Sequence, residues 1–322
     1  MNNKTIQPSL RPSDFNSFIG QKKIIDTIKV CIESAKKQNK TLDHIIFYGP
    51  PGRGKTTLAN IIANFCNRKI NYVQGALIEK KSDILSIFTS VQENDIIFID
   101  EIHSMNSNLE ELIYSAMEDN VIDIQIGPEG EKRILRMKIK PFTLIAATTD
   151  FAKISQPIRD RFGLIFKLSN YSDDELSKII IQTSNNLGYE ITKEQAMFLA
   201  SFSQGTPRIA NRLAKRVIDF SNYYNNGIIN NKIIKMTLKS LSIYKEGLTD
   251  IHIEYLKVLL EVFDQKSVSL NVLISVLNER KNIVLNEIEP FLLSKKFIKK
   301  TSKGRMITYL GVNYLLNFEQ YK

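Results

Sequence analysis

A glycine-rich segment carries the clearest chemical signal in the sequence. Residues 49–56 read Gly-Pro-Pro-Gly-Arg-Gly-Lys-Thr, which fits the pattern G-x-x-x-x-G-K-[ST]. The segment follows an apolar run and precedes a helical pattern, as a phosphate-binding loop requires. Its glycines, Gly54 among them, let backbone N–H groups approach phosphate oxygens, and the start of the next helix adds partial positive charge. We therefore expect Lys55 to bind the β- and γ-phosphates of a nucleotide and the Thr56 hydroxyl to bind Mg²⁺.

Two carboxylates follow an apolar run downstream of this loop. Residues 96–99 are Ile-Ile-Phe-Ile, and Asp100 and Glu101 come directly after them. Asp100 suits a magnesium ligand that acts through water, and Glu101 suits the general base that polarises the attacking water. A strand that ends in solvated acids is the alternative, but the phosphate loop upstream favours hydrolysis of a nucleotide.

Three more side chains are candidates for the same site. Thr148, at the end of a third apolar run, can orient the attacking water, although threonine is also an ordinary strand residue. Arg161 lies in the string Arg-Asp-Arg-Phe at 159–162, and Arg208 lies at the start of a later helical pattern. Either arginine can stabilise charge that develops on the γ-phosphate. For each of them a surface salt bridge is the alternative.

The spacing of apolar residues predicts the elements that position these side chains. Three short runs lack strict alternation, which is typical of strands covered on both faces of a parallel sheet. They lie at 44–48, 96–99 and 142–147, and helical patterns lie within 12–38 and at 56–66, 81–92 and 109–118. Strands that alternate with helices predict an α/β fold with an open parallel sheet.

Between residues 121 and 140 the period of the apolar residues changes to two. Two alternating stretches flank the Gly-Pro-Glu-Gly sequence at 127–130, which predicts a β-hairpin with its turn there. Ile124 and Ile126 share one side of the first strand, and we expect a partner protein to cover them. The alternative is that these isoleucines belong to the core.

After residue 168 the strand signals stop. Helix-start signals at Ser172, Thr192 and Thr206 predict an all-helical domain. From about residue 247, three helical patterns and then two strand patterns predict a winged helix, in which Pro290 should kink or divide the third helix. The helices are predicted at 251–263, 270–278 and 282–295, and the strands at 296–301 and 305–310. The sequence thus predicts an α/β ATPase domain at 1–168, a small helical lid at 169–245 and a winged-helix domain at 246–322.

Composition and charge limit the class of protein. The chain has 322 residues, of which 43% are hydrophobic and 24% charged, and this excludes wholesale disorder. The sequence has no apolar run long enough to span a membrane and no apolar signal segment at its start, so we expect a cytoplasmic protein. The two cysteines form no Cys-x-x-Cys pair, which excludes a disulfide framework.

The net charge of +10 favours a polyanionic partner such as nucleic acid, although a chain rich in Ile, Asn and Lys also fits an AT-rich genome. Six cations lie within residues 295–305, with no acid between them. They straddle the predicted end of the third helix and the wing, where a winged helix can contact the DNA backbone. A solvated, lysine-rich face is the alternative.

The order of these motifs resembles the RuvB family of AAA+ ATPases over nearly the whole chain. The most specific string is Gly-Thr-Pro-Arg-Ile-Ala-Asn-Arg-Leu at 205–213, paired with Gly-Arg-Met at 304–306. The resemblance implies a homohexameric ring that hydrolyses ATP with Mg²⁺, acts as a DNA helicase and moves Holliday junctions along double-stranded DNA in recombination and DNA repair. It also implies RuvA as the partner that places the ring on the junction, and RuvC in the same assembly.

The resemblance further implies roles for single residues. Thr148 would be the first sensor, Arg161 the finger that acts on the neighbouring subunit, and Arg208 the second sensor. The other implied nucleotide contacts are Leu10, Arg11, Gly52, Thr57, Glu118, Asp119, Asn120 and Tyr171. The family's DNA-contacting positions match Lys281, Lys300 and Arg305, and Lys303 lies beside the predicted turn of the wing. The hairpin at 121–140 matches the family's RuvA-binding insertion.

The chain departs from the family pattern at several positions. Arg53 replaces a leucine in the phosphate loop, and we expect its side chain to point outward. Asn120 replaces a tyrosine, and Asp150 replaces an arginine. Lys296 replaces a glycine at the end of the third helix, so the wing can start at a different residue from the one in the family pattern.

Two other AAA+ classes share this domain order. A replication initiator would act as a nucleotide-controlled switch and would carry an extra helix in its ATPase core. A clamp-loader subunit would carry Ser-Arg-Cys as its finger in place of the Arg-Asp-Arg-Phe string at 159–162. Stimulation of ATP hydrolysis by four-way junctions, with the partner present, would distinguish the motor from both.

Overall fold

The structure, a computed structural model, describes residues 11–126 and 133–318. The chain divides into two compact units, Met1–Tyr171 and Ser172–Lys322. The first unit is an α/β domain, and the second contains a helical bundle followed by a winged helix, so the predicted fold class is confirmed. None of the helices in the described ranges is long and apolar enough to cross a membrane.

A five-stranded parallel sheet forms the centre of the first unit. Its strands are β1 (Ile45–Tyr48), β2 (Ile70–Gln74), β3 (Ile96–Asp100), β6 (Thr143–Thr148) and β7 (Leu164–Lys167). They pair in the order β2-β3-β6-β1-β7. The sequence predicted the three central strands. The two edge strands were missed because they are short and half exposed and therefore lack a continuous apolar run.

Helices cover both faces of this sheet. They are α1 (Lys22–Lys37), α2 (Lys55–Cys66), α3 (Lys81–Thr89), α4 (Glu110–Asp119) and α5 (Gln156–Arg159). Alternate residues of β3 point to opposite faces. Ile96 and Phe98 pack in one core cluster with α1 and α2, and Ile97 and Ile99 pack in the other with α3 and α4. The central strands are therefore buried on both sides, which explains why their sequences show no alternation.

The predicted hairpin is formed by β4 (Val121–Ile126) and β5 (Arg133–Lys138), and the predicted turn at 127–130 lies outside the described residues. Ile124 lies opposite Leu135 in the register and packs, half-buried, against the domain core. Ile124 is therefore partly covered by the core of its own domain, which favours the alternative that the sequence left open. The side chain of Ile126 lies outside the described part of the structure. The exposed apolar residues are on β5 instead, with Ile134 70% and Leu135 49% exposed.

The first half of the second unit is the predicted all-helical domain. Its helices are α6 (Asp173–Asn186), α7 (Lys193–Ala200), α8 (Pro207–Tyr224) and α9 (Asn231–Ser240). Ser172 and Thr192 form the predicted capping boxes, each accepting a backbone N–H three residues on. Thr206 makes no such cap, because its hydroxyl donates to the carbonyl of Gln204. Pro207 alone marks the start of α8.

The second half is a winged helix in which the third predicted helix is divided in two and a further helix, not predicted, follows the wing. Its elements are α10 (Asp250–Lys257), α11 (Leu270–Leu277), α12 (Lys281–Ile283), α13 (Glu289–Ser294), β8 (Ile298–Thr301), β9 (Gly304–Ile307) and α14 (Tyr309–Leu316). A π-helical turn over Val284–Ile288 joins α12 to α13, so Pro290 divides the third helix as predicted. The strand predicted to run to residue 310 ends at Ile307, because Thr308 caps α14 through the N–H of Gly311.

Lys296 ends α13 in the left-handed conformation, with φ 59°. The N–H groups of Lys296 and Phe297 bond to the carbonyls of Leu293 and Leu292, which is the Schellman arrangement that usually employs glycine. The backbone at this position thus keeps the path that a glycine would give it, and the wing starts two residues later.

His252 is buried and holds the first turn of α10. Its Nδ1 accepts the backbone N–H of Thr249 at 3.2 Å and lies 2.8 Å from the Thr249 hydroxyl. Burial lowers the pKa of His252 from 6.5 to about 4. The unfolded chain therefore takes up a proton as the pH falls through 6.5, whereas the folded chain resists protonation until about pH 4.

We expect the free energy of unfolding to fall by about 2 kcal/mol from pH 7.5 to pH 5 through this group alone. His252→Gln keeps an acceptor for the Thr249 N–H and does not titrate, so it should lose less stability over the same range. Urea unfolding of both proteins at the two pH values measures the difference. Equal losses in the two proteins would mean that His252 is not the responsible group.

Candidate nucleotide site

The order of the strands brings the predicted chemical residues to one edge of the sheet. β6 lies between β1 and β3, and all three are parallel. Their carboxyl ends lead into the glycine-rich loop, Thr148 with Thr149, and Asp100 with Glu101. Ligands of open parallel sheets bind at this edge.

The loop at 49–54 has the backbone shape of a phosphate-binding loop. Gly54 has φ +100°, and a Cβ there would lie 3.0 Å from the ring of Phe18, so glycine is required. Lys55 is the first residue of α2 and is 7% exposed. Its ammonium donates to the carbonyl of Gly49 at 2.7 Å and to that of Pro50 at 3.2 Å. The cation is therefore held inside the concave side of the loop, where phosphate oxygens are its natural acceptors.

The donor atoms near the loop fit a nucleotide with Mg²⁺. Gly52 lies in the turn of the loop, and Thr56 and Thr57 lie in the first turn of α2. Asp100 ends β3, half-buried, and its Oδ1 accepts the N–H of Glu101 at 3.2 Å. A hydroxyl and a carboxylate oxygen are the hard ligands that Mg²⁺ prefers.

Glu101 is held in place by its backbone and by its carboxylate. Its φ of 49° is left-handed, which is unusual for glutamate and common at functional sites. The loop also needs Gly75, since a Cβ there would lie 2.4 Å from the Glu101 carbonyl oxygen. Glu101 Oε2 accepts the backbone N–H of Thr149 at 2.8 Å and its hydroxyl at 2.9 Å, and it lies 3.2 Å from His103 Nδ1.

Thr148 does not fit its predicted role of orienting water. It is fully buried, its hydroxyl accepts the N–H of Asp150 at 3.0 Å, and its Oγ1 lies 2.9 Å from His103 Nδ1. Thr149 is the threonine that faces Glu101. The sequence signal was the Thr-Thr pair, but choosing between its members required knowing where β6 ends.

Arg53 does not point outward as predicted. Its guanidinium is half-buried and donates from Nη1 to the carbonyl of Leu168 at 3.2 Å, and burial lowers its pKa. The hydroxyl of the buried Tyr171 donates to the backbone carbonyl of Arg53 at 3.1 Å. Two hydrogen bonds therefore join the phosphate loop to residues 168–171, and they place Tyr171 beside the loop.

Arg161 is bound to α4 within its own chain. Its guanidinium lies 2.6 Å from the Glu118 carboxylate, donates to the Tyr114 hydroxyl and lies over the Tyr114 ring at 4.4 Å. The Tyr114 hydroxyl and the Glu118 carboxylate raise its pKa. Arg159, by contrast, donates to the carbonyls of Ile154 and Ala152 and fixes its own loop. Arg161 is therefore the arginine of this string that a ligand can recruit.

The remaining predicted nucleotide residues lie at several places. Asp119 is exposed at the end of α4, and Asn120 caps that helix with φ 52°, a conformation that asparagine tolerates. Leu10 lies outside the described residues, and Arg11, the first of them, is exposed. Arg208 belongs to the second unit, where it is exposed in the first turn of α8.

The predicted DNA residues divide into two groups. Lys281 is exposed at the start of α12, and Lys303 is exposed in the turn between β8 and β9. Lys300 and Arg305 lie opposite each other in the wing, and both pair with the buried carboxylate of Glu289. The second pair is thus partly or wholly engaged within the domain, a fact that the clustering of cations in the sequence did not reveal.

Comparison with known proteins gives consecutive matches along the chain. Residues 10–168 match the Holliday junction DNA helicase RuvB P-loop domain, 171–244 the RuvB AAA lid domain and 245–316 the RuvB C-terminal winged helix domain. The Holliday junction branch migration complex subunit RuvB of Mycoplasmopsis synoviae is 53% identical over 95% of this chain and 97% of its own length. The same subunit of Mesomycoplasma hyopneumoniae strain 7448 is 50% identical over 96% of this chain and 98% of its own.

A solved structure agrees with these matches. The RuvB Holliday junction branch migration motor of Thermotoga maritima superposes with a TM-score of 0.83 at 37% identity, covering 97% of this chain and 99% of that one. Sequence and fold therefore agree over almost the full length, beyond the nucleotide site that all P-loop proteins share. The chain belongs to the RuvB family of ATP-dependent Holliday junction branch migration motors.

Proposed function

We propose that this chain forms a homohexameric ring that hydrolyses ATP with Mg²⁺ and draws duplex DNA through a Holliday junction, with RuvA as its loading partner and RuvC in the same assembly. The proposed division of labour is a motor domain at 1–168, a lid at 169–245 and a DNA-binding winged helix at 246–322. The convergence of the phosphate loop, Asp100, Glu101 and Thr149 at one sheet edge supports the hydrolytic part.

In this proposal, Lys55 leaves its loop carbonyls to bind the β- and γ-phosphates, with Gly52, Gly54 and Thr57 supplying backbone or hydroxyl donors. Thr56, and Asp100 through water, would hold Mg²⁺, which would supply positive charge to the phosphates. Glu101 accepts the proton of the attacking water. Thr149, whose N–H and hydroxyl hold the Glu101 carboxylate, sets its direction. We assign to Thr149 the sensor role predicted for Thr148.

Two substitutions separate binding from turnover. Lys55→Ala should abolish binding of ATP, because the phosphates lose the only lysine of the loop. Glu101→Gln should keep binding and lower turnover by about 10²-fold or more, because an amide cannot accept the proton. Binding of a fluorescent ATP analogue and steady-state phosphate release measure the two effects. Loss of nucleotide affinity to the same degree in both variants would contradict the two assignments.

Arg161 is proposed to act on the nucleotide of the neighbouring subunit. It is bound to α4, which packs on one face of the sheet, whereas α2, which starts at Lys55, packs on the other. Glu118 holds the guanidinium until the nucleotide of the neighbour attracts it. Asp119 and Asn120, which follow Glu118, are proposed to lie at the same interface. Arg11, Tyr171 and Arg208 are proposed to contact the nucleotide within one subunit, as is Leu10.

Mixing two inactive proteins tests this assignment. Arg161→Ala should lower ATP hydrolysis by about 10³-fold, the magnitude of a lost arginine finger. Mixed with Lys55→Ala, it should recover part of the activity, because some interfaces then combine an intact loop with an intact arginine. Subunit exchange is checked independently by energy transfer between labelled subunits. Exchange without recovery of hydrolysis would place Arg161 in its own subunit's site.

We propose that RuvA binds β5 of the hairpin through Ile134 and Leu135, in place of the predicted Ile124 and Ile126. The two side chains point to opposite faces of the strand, and both are exposed. Among the described residues of the hairpin, these two are the large apolar side chains that stay exposed, which is costly unless a partner covers them. Beside these two residues, Arg136 Nη2 lies 2.8 Å from Asp123 Oδ2, and this ion pair joins the two strands of the hairpin.

Replacing Ile134 and Leu135 with serine should weaken the affinity for RuvA at least about tenfold and leave basal ATP hydrolysis unchanged. Val30→Ser, which changes an equally exposed residue on α1, is the matched control and should change neither. Ile124→Ser should instead lower the melting temperature, because that side chain packs against the core. Unchanged RuvA affinity in the double variant would move the partner site off this hairpin.

The winged helix is proposed to contact DNA phosphates without reading sequence, since branch migration passes through any sequence. Lys281 and Lys303 are exposed cations at the start of α12 and in the wing turn, and they are proposed to bind phosphates directly. Lys300 and Arg305 both pair with the buried carboxylate of Glu289, so we expect their roles in DNA binding to differ from those of Lys281 and Lys303.

A further inference from the structure

Glu289 is a fully buried carboxylate in the winged-helix domain, and the proposed mechanism does not use it. It lies at the start of α13, directly after the π-helical turn. Arg305 Nε donates to its Oε1 at 2.6 Å and Arg305 Nη2 to its Oε2 at 3.4 Å. Lys300 Nζ lies 2.8 Å from Oε2, and the buried Tyr255 hydroxyl donates to Oε1 at 3.1 Å. Although burial acts to raise its pKa, the hydrogen bonds from Arg305 and Lys300 hold that pKa below its usual range.

The two cations on this carboxylate are not equivalent. The Arg305 side chain is 16% exposed and engages both carboxylate oxygens. Its backbone also exchanges two hydrogen bonds with Val268, at 2.8 and 2.9 Å. The Lys300 side chain is 49% exposed and makes a single ion pair, from a flexible four-carbon stem.

Removing each cation would therefore leave Glu289 in a different state. Without Lys300, the carboxylate keeps two hydrogen bonds from Arg305 and one from Tyr255. Without Arg305, only the Tyr255 hydroxyl and a half-exposed lysine remain to compensate a buried charge, which is strongly destabilising. Breaking the ion pair between Lys300 and Glu289 therefore costs little free energy, whereas breaking the contacts between Arg305 and Glu289 costs much.

We propose that Glu289 assigns the two wing cations to different tasks: Arg305 is a positioning residue that fastens the wing to α13, and Lys300 is an exchangeable cation that passes from Glu289 to a DNA phosphate. The proposal rests on the proposed binding of duplex DNA by this domain. It differs from the family resemblance, which implies DNA contact for both residues. Glu289 thereby becomes part of the DNA-binding apparatus without touching DNA.

The position of the wing cations agrees with this exchange. Lys300 and Arg305 lie on the same side of the hairpin as the buried Ile298 and Ile307, so they meet α13 at the margin of the domain core. Lys299 and Lys303 are exposed nearby and attract the same phosphate backbone. A phosphate that approaches this margin can replace the Glu289 carboxylate as the partner of Lys300, while Arg305 keeps the wing in place.

A matched pair of substitutions tests the division of tasks. Lys300→Gln and Arg305→Gln each remove one positive charge and introduce the same amide in the full-length protein. The affinity for a 30-base-pair duplex is measured across a salt series, and the melting temperature without DNA. Lys239→Gln, on the exposed face of α9, removes one charge far from the wing in the sequence and should leave the salt dependence unchanged.

Lys300→Gln should keep the melting temperature and lower the slope of log affinity against log salt by about 0.9 for each phosphate that the protein no longer neutralises. Arg305→Gln should lower the melting temperature by at least about 4 °C and keep the slope, measured at temperatures where circular dichroism shows it folded. Should Arg305→Gln fail to fold while Lys300→Gln folds with a reduced slope, the division is likewise supported.

An Arg305→Gln protein with unchanged stability and a reduced slope would overturn the proposal, as would an unchanged slope in Lys300→Gln. Wild-type protein without salt-dependent duplex binding would instead contradict the proposed function itself. The two failures are therefore distinguishable.

Discussion

The parallel register of β1, β6 and β3 is the constraint on which the chemistry of this protein depends. Each strand ends where a different chemical part begins: the glycine-rich loop, the Thr148–Thr149 pair and the Asp100–Glu101 pair. A parallel sheet aligns these ends without any contact between the parts themselves. Burial on both faces fixes the register, since a slip of one residue would turn buried side chains of the central strands to the opposite core.

Carboxylates hold two of the arginines for which a role is proposed. Glu118 binds Arg161 on the surface of α4, and Glu289 binds Arg305 in the winged helix. In a chain with a net charge of +10, such pairs reduce self-repulsion and keep guanidinium groups in a defined direction. The two pairs differ in burial. Glu118 is exposed, so its ion pair with Arg161 contributes little to stability, whereas Glu289 is buried, so loss of Arg305 would leave a buried charge poorly compensated.

Sequence motifs predicted those features of the structure that depend only on neighbouring residues. The phosphate loop, the capping boxes at Ser172 and Thr192 and the division at Pro290 each depend on residues within a few positions of one another. Long-range contacts decided the rest. Whether Thr148 or Thr149 faces Glu101 depends on where β6 leaves the sheet, and Arg53 turns inward because the Leu168 carbonyl is available on another strand's end. The membership of the family decided among three AAA+ classes that the motifs alone left open.

Tyr171 is the last residue of the first unit, and its hydroxyl is bonded to the backbone of the phosphate loop. The chain thus leaves the ATPase domain from a point fastened to the glycine-rich loop. Arg53 adds a second fastening three residues earlier, at Leu168. In mechanical terms the covalent link to the second unit starts at a residue that is fastened to the phosphate loop. A change in the shape of the loop would therefore act on these two hydrogen bonds, at the residues where the first unit ends.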